Sequence, residues 1–153
     1  MYNKPLSCIL VTLFLYMFIE LQNATVTAQQ FTFPDVVKKQ VKKVHVRCVN
    51  KTGVTEDIIA LAHSGVLPKD PAFKCFLHCM FDIFGLIDSQ NIMHLDALVE
   101  VVPEELHAKI LGLSEKCGTQ TGTDGCDTVL LTVQCYIDTD GPFIKKSVED
   151  MLT

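Results

Sequence analysis

Residues 74–85 read KCFLHCMFDIFG. The stretch follows Asp70-Pro71, a capping residue and a proline at the first helical position, and it ends at Gly85, so it predicts a helix. Cys75 and Cys79 then lie about 40° apart on one face and roughly 6 Å apart along the axis. Their Cβ vectors run side by side, so the two should not bond each other. Each needs a partner from a different element. His78 beside them raises two other readings, a zinc site and a Cys/His nucleophile. The choice depends on whether these thiols meet an oxidising compartment.

The start of the chain answers that. MYNKP carries one basic residue, Lys4, and an apolar run follows from Leu6 to Ile19. Val26 and Ala28 then place small residues at −3 and −1 before Gln29. This pattern predicts a secretory signal peptide over residues 1–28. The run is short for a membrane span, which needs about 20 apolar residues. The mature chain, residues 29–153, is therefore expected to be exported and extracellular. It keeps a net charge of −5, because the leader takes Lys4 and Glu20 with it. Cys8 also goes, so seven cysteines become six. An even count in an exported chain points to disulfides, which removes the thiols that a zinc site or a nucleophile would need. The mild acidity argues against a nucleic-acid partner. KKQVKK at 38–43 reads as the solvated face of a helix.

Apolar spacing predicts helices almost throughout, hence an all-α fold of about six short helices. Val37, Val41, Val44 and Cys48 form one face of the first helix, which Gly53 ends. Thr55 is placed to cap the second, which Ser64-Gly65 stops. The third holds the quoted stretch. A fourth is expected over Asn91–Val101 and a fifth from Pro103, carrying Leu106, Ile110 and Leu113. Residues 118–125, GTQTGTDG, form a polar loop. A sixth helix runs from Cys126 to Ile137, and Gly141-Pro142 breaks it before the tail, 141–153.

The six cysteines are Cys48, Cys75, Cys79, Cys117, Cys126 and Cys135. Six allow about 15 pairings. Cys126 and Cys135 stand about 180° apart on one helix, so they serve different partners. The frame is interlocked, but geometry alone selects no single pairing. The order C-x26-C-x3-C-x37-C-x8-C-x8-C in an exported helical chain resembles the insect odorant-binding proteins, in the six-cysteine subgroup with the pheromone-binding members. RCVNKTGVTEDII at 47–59 and CFLHCMFDIFGLID at 75–88 are also similar to that family. The resemblance implies the bridges Cys48–Cys79, Cys75–Cys126 and Cys117–Cys135. It also implies helices around a hydrophobic cavity lined by Leu77, Phe81 and Tyr136.

The apolar faces extend that set. Leu77, Phe81 and Phe84 make an i, i+4, i+7 stripe, and Val129, Val133 and Tyr136 make another. Leu98, Ile110 and Leu111 are further candidates. Tyr136 is the polar one, since a buried hydroxyl wants a partner. In the tail, Phe143, Ile144 and Val148 are placed to close the cavity as a lid. The expected function is carriage of a small hydrophobic volatile through aqueous lymph to a membrane odorant receptor, by a monomer or weak homodimer. No catalytic residues and no cofactor or metal are expected. HCMFD lacks the His-Asp pair of a secreted phospholipase, and no glycine-rich calcium loop precedes it. The competing reading is a secreted protein-interaction or toxin-like module on the same frame. Asn50-Lys51-Thr52 also matches a glycosylation acceptor.

Overall fold

The computed structural model describes residues 31–152, together with Phe14. The expected leader, apart from Phe14, lies outside them. Helix α1 spans Asp35–Thr52, with Pro34 before it and Asp35 at the positive end of its dipole. It buries Val44 and Cys48 and ends where Gly53 turns left-handed at φ 72°. Helix α2 is Glu56–His63 and buries Ile59. Thr55 precedes it without making the expected side-chain cap. Its backbone carbonyl instead accepts from Ile58 and Ile59.

Helix α3, Pro71–Ile83, begins as its sequence dictates. The Asp70 carboxylate accepts the Phe73 N–H at 2.9 Å, and Pro71 occupies the first turn, where an N–H has no helical partner anyway. Phe73, Phe76 and Cys79 are buried, and Gly85 reverses the chain at φ 68°.

The fourth helix expected over 91–101 is corrected. Asp88 Oδ1 accepts from the N–H groups of Gln90 and Ile92 at 2.8 and 2.9 Å, Asn91 sits at φ 61°, and Ile87 bridges to Met93. This side-chain turn takes the donors that a helix would have used. Helical structure begins only at Leu95, as a 3₁₀ turn over Leu95–Glu100. A second 3₁₀ turn, Glu104–Leu106, runs into helix α4, His107–Cys117.

Helix α5 spans Gly125–Leu152 and bends at Asp140, whose φ −149° and ψ 65° are not helical. The Asp140 carboxylate accepts the Phe143 N–H at 3.2 Å, so the bend works as a cap for the second arm. Pro142 falls in that arm's first turn. The break expected at Gly141-Pro142 is thus one residue earlier, and the tail is helical.

Disulfides join Cys48 with Cys79, Cys75 with Cys126 and Cys117 with Cys135, the pairing that the resemblance implies. They tie α1 to α3, α3 to α5, and α4 to α5. Among the described residues the chain is all-α apart from the isolated bridge. One apolar cluster, with Val44, Ile59, Phe73, Phe76 and Leu130, fills the space between α1, α2, α3 and α5. The second cluster forms the candidate site.

Candidate ligand-binding site

The second cluster lies between the first turns of the described chain, the 3₁₀ segment, α4 and both arms of α5. Ile110, Val129 and Tyr136 are among its buried members, and Val129 has no exposed surface at all. Leu77, Phe81, Leu98, Val133 and Phe143 are partly buried and pack against it. Eight of the residues expected to line an interior are therefore gathered in one place. Leu77 also touches the other cluster, so α3 forms the wall between the two.

Phe84 and Leu111 are not among the residues that pack in this cluster. Phe84 lies one residue beyond the end of α3, at the cap before left-handed Gly85, so its stripe stops one turn short; it is 37% exposed. Leu111 is 48% exposed because it follows Ile110 by one position, about 100° around α4.

Phe31, Phe33 and Met93 are buried members that the spacing argument missed. Phe31 and Phe33 stand edge to face, with centroids 5.5 Å apart. The only available signal was an alternation of two aromatics just after the expected leader.

The tail meets these two rings. Phe143 lies 6.0 Å from Phe31, and the Lys146 ammonium sits 5.1 Å above the same ring. Asp150 accepts the Phe33 backbone N–H at 2.6 Å and the Lys38 ammonium at 3.3 Å. The Phe33 bond, assisted by Lys38, holds the Asp150 carboxyl below its ordinary value. At the bend, Lys109 does the same for Asp140. Both ends of the second arm are thus pinned by a carboxylate. Beside the bend, a groove of about 190 Å³ opens between α4 and α5, lined by Ala108, Lys109, Gly112, Leu113, Thr139 and Asp140.

Polar groups at the cluster fall into two kinds. The Thr132 hydroxyl donates to the Thr128 carbonyl at 2.8 Å and accepts the Gln120 N–H at 2.9 Å. The Thr128 hydroxyl accepts the Gly122 N–H at 2.9 Å. Tyr136 is only 3% exposed, yet its hydroxyl has no hydrogen-bond partner among the described residues. Burial, with a smaller contribution from the Asp96 charge, pushes its pKa up to about 12. The phenol is therefore a neutral donor at any physiological pH.

The comparisons agree with this architecture. Residues 30–139 match the model of the PBP/GOBP family. General odorant-binding protein 69a of Drosophila melanogaster is 56% identical over 116 residues, 75% of this chain and 78% of that protein. A crystal structure of a medfly odorant-binding protein, designated 22/69a, aligns with a TM-score of 0.68 at 43% identity, over 74% of this chain and 98% of that one. Odorant-binding protein 7 of Anopheles gambiae, with four disulfide bridges and in complex with an azo compound, aligns with a TM-score of 0.69 at 32% identity, over 74% and 93%. With six cysteines paired across three helical junctions and these relatives, the chain belongs to the PBP/GOBP family of odorant-binding proteins.

Proposed function

We propose that the protein is a secreted, non-enzymatic carrier of small hydrophobic molecules, bound at the cluster around Tyr136 and moved through aqueous lymph to a membrane receptor. One observation carries the reading: a neutral phenol donor stands unmet inside an apolar surround. A buried hydroxyl without a partner costs about 1–3 kcal/mol, and an apolar ligand with one oxygen would remove that cost. Ligand sites commonly combine apolar walls with a few placed polar groups. Leu77, Phe81, Leu98, Ile110, Val129, Val133 and Phe143 would supply the walls. Their burial of ligand would drive binding at about 25 cal/mol per Å². The azo compound held by the mosquito relative supports a small organic ligand.

The tail is the lid in this reading. Its Phe143 and Ile144 pack on the cluster, and Asp140 and Asp150 hold its ends. Export with residues 1–28 as leader fits a frame of three bridges. Among the described residues no helix is long and apolar enough to cross a membrane.

The test is displacement of an apolar fluorescent probe from the oxidised mature protein by a panel of volatiles. Saturable micromolar displacement by some compounds and not others is the expected result. A probe that never binds, at neutral or mildly acidic pH, would replace the carrier with the protein-interaction module.

A further inference from the structure

Ser147 lies on the second arm of α5. Phe143 and Ile144, four and three residues before it, and Met151, four after it, all pack against the apolar cluster. At helical spacing these positions share one face. Ser147 is therefore in the middle of the tail's inward stripe, and it is 7% exposed. Its hydroxyl has no hydrogen-bond partner among the described residues. A helical serine or threonine often turns its hydroxyl onto the carbonyl four residues back. Thr132, earlier in the same helix, does so and also accepts a loop N–H. The buried hydroxyls that hold the protein together on α5 are thus satisfied, while those of Ser147 and Tyr136 are left open.

We propose that Ser147 is a second polar contact of the binding site, carried by the tail. It selects apolar molecules bearing a hydrogen-bonding oxygen, such as an alcohol, ketone or ester, over hydrocarbons of the same length. Because the hydroxyl belongs to the tail, the same bond makes closure of the tail depend on the ligand's functional group. The inference rests on the carrier reading and adds to it the class of ligand and the element that senses it.

The experiment compares a straight-chain alcohol with the alkane of equal length, each displacing the apolar probe from wild type, Ser147→Ala and Ser147→Thr. In Ser147→Ala the alcohol should weaken about 2- to 12-fold, the loss of one hydrogen bond, while the alkane changes less than about 2-fold. Ser147→Thr keeps the hydroxyl and should keep the preference. A purely structural serine would move both ligands together, and that result overturns the proposal while leaving the carrier intact. Hydrogen exchange on the wild type gives an independent reading. The alcohol should slow exchange across residues 143–151 more than the alkane does; equal protection also overturns the proposal. Failure of wild type to bind the probe or either ligand would overturn the carrier reading and this inference together.

Discussion

Replacing Tyr136 by phenylalanine should change stability and affinity in opposite directions. The ring stays, so no cavity opens in the cluster. Only the hydroxyl leaves, and it is buried and unmet. Relieving an unmet buried hydroxyl is worth about 1–3 kcal/mol, so ligand-free Tyr136→Phe should be more stable than wild type by up to that amount. For a domain of this length, each kcal/mol raises Tm by about 2–8 °C. Binding of an oxygenated ligand should weaken about 2- to 12-fold, because the one bond available to it is gone. Thr132→Val is the counterpart: its hydroxyl is used twice, and the change should destabilise by about 1–3 kcal/mol. The assay is thermal unfolding of the oxidised mature protein beside probe displacement. The chain has three tyrosines and no tryptophan, and Tyr2 and Tyr16 fall in the expected leader. An absorbance titration of the mature chain therefore reads Tyr136 alone. Its folded pKa, raised from 10.0 to about 12, means that the stability tied to the neutral phenol is complete below pH 10.0 and is lost as pH rises through about 12. If Tyr136→Phe lowers the stability of the ligand-free protein, or the phenol titrates at its ordinary value, the hydroxyl is not an unmet buried group and the reasoning fails.

Three further outcomes follow from the same geometry. Removing one bridge at a time as a double Cys→Ala change should cost about 3.2 kcal/mol for the 18-residue Cys117–Cys135 loop, about 3.7 for the 31-residue Cys48–Cys79 loop and about 4.1 for the 51-residue Cys75–Cys126 loop. Urea unfolding checks the rank order. Asp140 and Asp150 both titrate below the ordinary 3.8, so the anchoring they give the tail is complete above that value and is lost as pH falls through their lowered values. Exchange at residues 143–151 should accordingly match at pH 7 and pH 5 once corrected for intrinsic rates, and loosen only below about pH 4. Phe73→Ala, at a site only 1% exposed in the other cluster, should destabilise by about 3–5 kcal/mol with ligand preference unchanged, read by unfolding and displacement together.

Much of this molecule was legible in local chemistry. Asp70-Pro71 specifies the start of α3 through a bond that the structure contains, and Gly53 and Gly85 mark ends that need a left-handed residue. Spacing also brought Val129, Val133 and Tyr136 to one face. Legibility failed where a side chain competed with the backbone or where tertiary packing decided. Asp88 captures two N–H groups and delays the helix expected from Asn91. Phe84 kept its apolar character but lost its helix one residue too soon. Phe31 and Phe33 show no helical period, and their burial depends on a cluster assembled from distant elements, the returning tail's Phe143 among them. Ser147 reads as an ordinary polar residue in FIKKSVEDMLT until its neighbours at four-residue spacing turn inward.

The interlocked bridges have a consequence for biosynthesis. In the export proposed above, the six cysteines reach an oxidising lumen in chain order, Cys48 first and Cys75 second, yet Cys48 belongs with Cys79. Cys75 must wait for Cys126, 51 positions later. Until then Cys75 is a free thiol one helical turn from Cys79 on the same face of α3, and able to take its place. Cys79 follows four residues behind, well within the seconds to hours that disulfide formation takes. Two thiols on one helical face therefore compete for Cys48, and a Cys48–Cys75 bond, once formed, needs thiol–disulfide exchange to move by four residues.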